Sequence, residues 1–290
     1  MAKLTVKQFF ARYPDDETCL EHVMDLRYGR IRECQNPKCA KPTEYYRLTK
    51  RPAYSCKLCG WHIYPCAGTP FERTRTPLQL WFYAIYLFTT TRHGVPAKEL
   101  QRQLGVTYKT AWRMGHEIRK FIGKVDGDNG LSGHVEIDET FVGGREHSGA
   151  TGRPGQDSKK TVVFGMVERG GDVITRVVPN AKGETLFPLV EQYVAKGTVL
   201  STDEFLAYRG LRKLGYTHRA VNHSRKEWVR GDTHTNTIEG FWSHFKNSVR
   251  GTHRSVSRKH MMKYLAEFEF RFNHRRSVSS LMFDRLIQAF

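Results

Sequence analysis

The sequence predicts an α/β protein in which a mixed sheet flanked by helices follows two small N-terminal modules. Three observations predict it. From residue 134 onward, apolar-alternating runs and helical patterns follow one another as strand, strand, strand, helix, strand, helix, strand, helix. Well before them, four cysteines stand in two close pairs, Cys34-x4-Cys39 and Cys56-x2-Cys59. Between these regions, two short helical patterns meet at Gly105.

Composition narrows the function classes. At 290 residues the chain is long enough for two or three domains, at least one with a sizeable core. Lys and Arg number 47 against 29 acidic residues, a net charge of +18. Such an excess predicts a polyanionic partner, because a basic field attracts phosphate backbones. No apolar run reaches the length of a membrane span. The first residues, Met-Ala-Lys-Leu-Thr-Val-Lys-Gln-Phe-Phe, hold no long apolar h-region and no small-residue cleavage site. A cytoplasmic protein is expected, and there paired cysteines favour metal over disulfides.

The elements follow in order. Residues 1–33 predict a helical lead-in, with Phe9, Phe10, Cys19, Leu20, Val23 and Leu26 on its apolar face. Cys19 stands alone and reads as a buried small residue. Residues 34–72 predict a zinc ribbon: Cys34, Cys39, Cys56 and Cys59 can close one structural, tetrahedral Zn²⁺ site per chain. Gly60 suits the tight turn after the second pair, and His62 and Cys66 offer substitute ligands.

Residues 77–125 predict a helix-turn-helix. Leu78, Leu80, Trp81, Ala84, Ile85 and Phe88 form an apolar face; a helix over 95–104 then meets Gly105, and a second runs from Tyr108 to Phe121. Tyr108, Lys109 and Arg113 would sit on the outer face of that second helix, within reach of DNA. The plainer alternative is a helical hairpin with solvated cations. Residues 123–133 read as a linker. Asp126 and Asp128 suggest a calcium loop, but its downstream Glu is absent.

Residues 134–290 predict the catalytic domain and a basic tail. Strands are expected at 134–138, 161–168, 172–178, 198–203 and 216–222, and helices at 183–195, 204–214 and 236–250. The first three strands make an antiparallel meander turned at Gly170-Gly171; the later alternation makes parallel neighbours. That order is ribonuclease-H-like. It puts Asp138 on the first strand and Asp203 at the end of the fourth, side by side at a carboxyl-end crevice. Alternation puts Glu136 on the face of Asp138 and turns Glu139 away. Asp203 has a plain alternative as the N-cap of a helix starting at Glu204. The loop from Gly143 to Gln156 is basic and rich in Gly, Arg and Ser.

On the helix at 236–250, Ile238, Phe241, Trp242, Phe245 and Val249 form a core stripe, and Asn236, Glu239, Ser243, Lys246 and Arg250 a polar one. Asp138, Asp203 and Glu239 together suit a pair of Mg²⁺ or Mn²⁺ ions for phosphodiester chemistry, with Lys246 placed to hold a phosphate or terminal base. The competing reading is a capping box, with Asn236 as N-cap and Glu239 three residues on. Beyond it lie Arg250, Arg254, Arg258, Lys259, Lys263, Arg271, Arg275 and Arg276, some of which should line a DNA path. Phe268, Phe270 and Phe272 read as core.

Several of these runs resemble the ISXO-like group of bacterial insertion-sequence transposases. They are His-Val-Glu-Ile-Asp-Glu-Thr-Phe-Val-Gly-Gly (134–144), His-Thr-Asn-Thr-Ile-Glu-Gly-Phe-Trp-Ser-His-Phe-Lys (234–246), Val256 to His260, Arg271 to Arg275, and Gly68-Thr69-Pro70-Phe71-Glu72 behind the cysteine pairs. The resemblance covers most of residues 30–280. It implies a DDE-type domain in which Asp138 and Asp203 match the first two acids. Members of the group carry Glu, Asn or His at the third position. Glu239 is preferred here because a full charge suits Mg²⁺ best; Asn236 and His234 are the alternatives.

The implied activity is binding of element ends, 3′-end cleavage by water, and attack of the freed 3′-hydroxyl on target DNA. No covalent intermediate is expected, since no Tyr or Ser stands beside the acids as an activated nucleophile. Two ends must be joined together, so a homodimer or larger assembly on the bacterial nucleoid is expected. The rivals are a DNA-binding regulator without catalysis and another nuclease of the same fold, such as a junction resolvase or a ribonuclease H.

Overall fold

The computed structural model describes residues 4–29, 33–126, 130–143, 160–277 and 279–289. They divide into two compact units, one drawn from 1–91, 95–121 and 277–290, the other from 92–94 and 122–276. The loop expected over 144–156 and Asp128 lie outside the described residues. Among the described residues no helix is long and apolar enough to cross a membrane.

The first unit opens with two helices where one lead-in was expected. The helix α1 (Val6–Arg12) starts at a capping box, with the Thr5 hydroxyl accepting from Gln8 N and the Gln8 side chain accepting from Thr5 N. Asp15 accepts from Thr18 N at 2.8 Å and starts α2 (Asp16–Tyr28). Phe9, Cys19, Leu20 and Val23 are buried as expected, whereas Phe10 is exposed. Three short antiparallel strands follow, β1 (Tyr45–Arg47), β2 (Tyr54–Cys56) and β3 (His62–Ile63).

The helix α3 (Leu78–Thr90) buries Trp81, Phe82, Ala84, Ile85 and Phe88. Next, α4 (Ala97–Leu104) ends at Gly105 in the left-handed conformation (φ 64°), which glycine adopts without a Cβ clash. The Thr107 hydroxyl accepts from Thr110 N at the start of α5 (Tyr108–Val125).

The second unit is built on a five-stranded sheet of order β6-β5-β4-β7-β8. The strand β4 (His134–Val142) pairs antiparallel with β5 (Thr161–Glu168), which pairs antiparallel with β6 (Val173–Val178). On its other side β4 runs parallel to β7 (Val199–Thr202), and β7 parallel to β8 (Thr217–Ala220). The meander and the parallel neighbours are those the alternation predicts. The strand β4 continues four residues past its expected end at 138, since Glu139 to Val142 still pair with β5. Between β6 and β7 lies α6 (Gly183–Tyr193). The helix expected at 204–214 is a 3₁₀ segment, Leu206–Leu214.

One sheet face buries Val135, Ile137, Phe164 and Met166 with Leu186 and Val190 of α6. The opposite face buries Val163 and Val167 under Ile238, Phe241, Trp242 and Phe245 of α7 (Asn236–Ser248), together with Leu265 and Phe268 of α8 (Met261–Asn273). Gly165 permits this close fit: a methyl there would stand 2.4 Å from the Trp242 ring. The second unit stops at Arg276 rather than at the chain's end. The last helix, α9 (Ser279–Gln288), belongs to the first unit, where the Phe283 ring meets those of Phe9, Tyr13 and Phe82.

Candidate active site

Asp138 and Gly165 are register partners on β4 and β5, on the face covered by α7. The last β4–β7 pair is Glu136 with Ser201, so Asp203 leaves β7 beside Asp138. Burial raises the Asp138 carboxyl well above the usual carboxylate range, and the charges of Glu139, Asp203 and Glu239 raise it further. Two of the acids singled out in the sequence, Asp203 and Glu239, thus act on the third, Asp138, although among the described residues only the four cysteines have ligand atoms gathered within 4.8 Å of one another. Asp203 Oδ1 accepts from Phe205 N at 2.9 Å. It braces a bend there, because Phe205 and not Asp203 is the cap of the 3₁₀ segment.

Glu239 lies on the first turn of α7. Its Oε1 accepts from the Thr235 hydroxyl at 2.6 Å and lies 3.7 Å from His223 Nε2. Two turns on, burial lowers the Lys246 ammonium; the Asp138 charge opposes this and Arg250 and Lys160 add to it. Lys246 therefore shares the field of Asp138. The capping-box reading of this helix does not hold: Thr235 is the residue before the helix, and Asn236 is its exposed first residue. His234 is turned to another carboxylate, with its Nδ1 3.1 Å from Glu136 Oε1.

Glu136 is the residue whose role the sequence did not reveal. Its side chain is fully buried. It accepts from Thr237 N at 2.7 Å, Ile238 N at 3.1 Å, the Thr237 hydroxyl at 2.9 Å and Arg169 Nε at 2.8 Å. A carboxylate on β4 therefore caps the open N–H groups at the start of α7, where the helix dipole also favours negative charge. Arg169 donates further to the carbonyls of Asp232 and His234, fixing the chain that enters the helix. A Glu two residues before Asp138 on the same strand face was the only available signal. Glu139 faces the other way, as alternation requires, and takes a hydrogen bond from the buried Tyr208 hydroxyl.

In the first unit, the ligand atoms of Cys34, Cys39, Cys56 and Cys59 all lie within 4.8 Å of one another. The Asn36 and Leu58 N–H groups point at Cys34 Sγ and Cys56 Sγ, both at 3.4 Å. Burial opposes ionisation of Cys56, but the Thr43 hydroxyl and the N–H groups of Cys59 and Leu58 outweigh it and bring the thiol down to about 6. Cys66 stays out of the cluster, with burial pushing its thiol up to about 11. Tyr108, Lys109 and Arg113 are exposed on α5, and the Arg113 guanidinium lies 5.5 Å from the Trp81 ring centroid. In the second unit Arg250, Arg254, Arg258 and Lys259 are exposed.

A family model described as an ISXO2-like transposase domain matches residues 130–273. A Halobacterium salinarum protein, described as an uncharacterized protein in transposable element ISH50, is 31% identical over 243 residues, or 78% of this chain and 79% of its own length. A Haemophilus influenzae protein, described as an uncharacterized transposase-like protein, is 32% identical over 102 residues, 35% of this chain and 81% of its own. Among solved structures, the Mos1 strand transfer complex is similar at 11% identity and a TM-score of 0.30, over 69% of this chain and 75% of that one. A pre-cleavage Mos1 transpososome matches at 12% identity and a TM-score of 0.28, over 71% and 77%. Likeness at those scores bears on no residue here.

Proposed function

The chain belongs to the ISXO2-like family of insertion-sequence transposases, and on that premise we propose that it binds the ends of its element and catalyses metal-dependent 3′-end cleavage and strand transfer into target DNA. The observation that carries the reading is a buried Asp138 carboxyl raised further by the charges of Glu139, Asp203 and Glu239, although among the described residues only the four cysteines have their ligand atoms gathered around one centre. Like charges acting on a buried carboxyl call for cations. Mg²⁺ or Mn²⁺, when bound as a pair, supplies Lewis acidity to the attacking and leaving oxygens of a phosphodiester. Asp138, Asp203 and Glu239 are the residues to hold it. Glu239 is favoured over Asn236 and His234 because its charge reaches Asp138, whereas His234 serves Glu136. Lys246 would hold the phosphate beside Asp138, and Glu136 would keep Glu239 in place by holding the helix start.

The four-cysteine cluster fits one structural zinc ion, since its donor atoms are already gathered and hydrogen-bonded. The pair α4–α5 would read DNA through Tyr108, Lys109 and Arg113, and Arg250, Arg254, Arg258 and Lys259 would grip its backbone. The partners are element ends and target DNA, the working form a homodimer or larger assembly, and the place of action the bacterial cytoplasm at the nucleoid. A DNA-binding regulator without catalysis is the second reading; a buried Asp138 carboxyl in the field of Asp203 and Glu239 weighs against it.

Asp138→Asn separates the two. End DNA should still bind, and Mg²⁺-dependent nicking should vanish. A variant that nicks at a rate close to the parent's would remove Asp138 from the site; a parent protein that binds ends and never nicks would favour the regulator.

A further inference from the structure

The part of the β8–α7 segment from Ser224 to Gly231 has no role in the chemistry described so far, yet it is firmly built. Glu204 Oε2 accepts from His223 N at 2.9 Å, and its Oε1 accepts from Ser224 N at 3.1 Å and the Ser224 hydroxyl at 2.6 Å. These bonds, the Ser224 hydroxyl foremost, bring the Glu204 carboxyl down to about 2. Asn222 Oδ1 accepts from Arg225 N at 3.0 Å, and Glu227 accepts from Asn222 N at 3.3 Å. A bridge between Arg230 and Thr233 closes the segment.

What this frame displays is apolar. Trp228 is 56% exposed and Val229 51%. The Trp228 ring lies 4.7 Å from the His223 ring, centroid to centroid, and His223 Nε2 lies 3.7 Å from Glu239 Oε1. One aromatic side chain therefore links an exposed indole to the third acid of the site. Arg225, Lys226 and Arg230 stand exposed on the same segment. An indole held open by a rigid frame spends apolar area without burying it, which fits a surface that is covered by a ligand. Cations around it select an anionic one. A planar aromatic among cations, next to a site for phosphodiesters, has the chemistry of a nucleobase platform.

We propose that Trp228, backed by His223, stacks a single unpaired nucleobase splayed out of the DNA end beside the phosphodiester to be cut. The proposal rests on the transposase reading. It assigns the occupant as a base of the bound DNA, not a second copy of this chain. Unstacking a base from a duplex costs free energy that such a platform returns.

The test is a binding cycle on the full-length protein. The probes are duplexes of the terminal inverted repeat that flanks the gene, each lacking one base at successive positions around the scissile phosphate. On the intact duplex Trp228→Ala should weaken binding by about 5- to 150-fold, the range expected for loss of one base stack. Trp228→Phe should keep most of the affinity, which separates stacking from misfolding. On the one duplex lacking the stacked base, the parent and Trp228→Ala should bind alike. A Trp228→Ala loss of equal size on every duplex would overturn the proposal, as would no loss at all. A flat scan with Trp228→Ala changing the oligomeric state would assign the indole to a second copy. Absence of any DNA binding by the parent would overturn the transposase reading along with this one, whereas binding with a flat scan overturns this one alone.

Discussion

Glu136→Gln is the sharpest probe of how the strand β4 holds the helix α7. The substitution keeps size and removes charge. Glu136 is fully buried and receives Arg169 Nε, two backbone N–H groups and a hydroxyl at 2.7–3.1 Å. A glutamine amide can still accept through its oxygen, but its NH₂ must face one of these donors. Breaking a buried ion pair costs about 3–5 kcal/mol when the partner is left wholly buried. Arg169 retains 21% of its side-chain exposure and can recover some hydration. The expected loss is therefore about 2–3 kcal/mol. For a unit of this size that lowers Tm by about 4–12 °C. Urea unfolding and a thermal melt measure it directly. Arg169→Ala should cost a similar amount, and the double variant should cost much less than the two singles summed, because both remove one network. Cleavage, assayed below the variant's melting range, should fall with stability, since Glu239 directly follows the anchored N–H groups of Thr237 and Ile238. A Glu136→Gln protein within about 0.5 kcal/mol of the parent would refute the anchor.

Three further outcomes follow from the geometry. Chelation of zinc, or Cys56→Ser, should loosen the segment around β1–β3, which holds little core of its own; metal analysis of fresh reduced protein should find one zinc per chain, and a protein with none would contradict it. Glu239→Gln should abolish Mg²⁺-dependent cleavage with the fold kept, while Asn236→Ala, at an exposed position inside the helix, should cost under about 0.5 kcal/mol and keep activity; an active Glu239→Gln with a dead, folded Asn236→Ala would reassign the ligand to Asn236. Finally, Asp138→Asn should melt higher than the parent in chelator. The folded Asp138 carboxyl titrates above its unfolded value, so its ionisation opposes folding once pH exceeds that unfolded value, and the amide removes this cost at neutral pH. Mg²⁺ should raise the parent's Tm more than the variant's; a variant that melts lower in chelator would show that the charges do not repel.

Much of this was legible before any coordinates. Alternation along 134–138 placed Glu136 and Asp138 on one face and Glu139 on the other, because a strand's side-chain period is fixed by its backbone. The cysteine spacing announced the cluster that the three short strands bring together. The misses were long-range. Glu136 and its partners are separated by 33 residues at Arg169 and by 101 at Thr237, and no local pattern encodes such a meeting. The return of α9 to the first unit depends on Phe283 finding rings of Phe9, Tyr13 and Phe82, which an amphipathic pattern cannot specify. Nothing local in the sequence marks Gly165, because the ring that occupies the volume of its missing side chain, Trp242, comes from a distant helix.

Two carboxylates two residues apart on one strand face thus do opposite work, and what surrounds each decides which. Glu136 meets a guanidinium, two helix-start N–H groups and a hydroxyl, with the His234 ring beside it. Its charge is satisfied, and a metal ion would have to displace those bonds to bind there. Asp138 is buried in the field of three carboxylates, with Lys246 as a cation whose charge it also feels. A divalent ion would relieve the repulsion from Glu139, Asp203 and Glu239 together. The anchor and the ligand are also coupled through α7. Glu136 fixes the first N–H groups of the helix, Gly165 lets Trp242 lie against the sheet one turn later, and Glu239 between them has little freedom to leave Asp138. The stability invested in Glu136 is what keeps the repelling acids together.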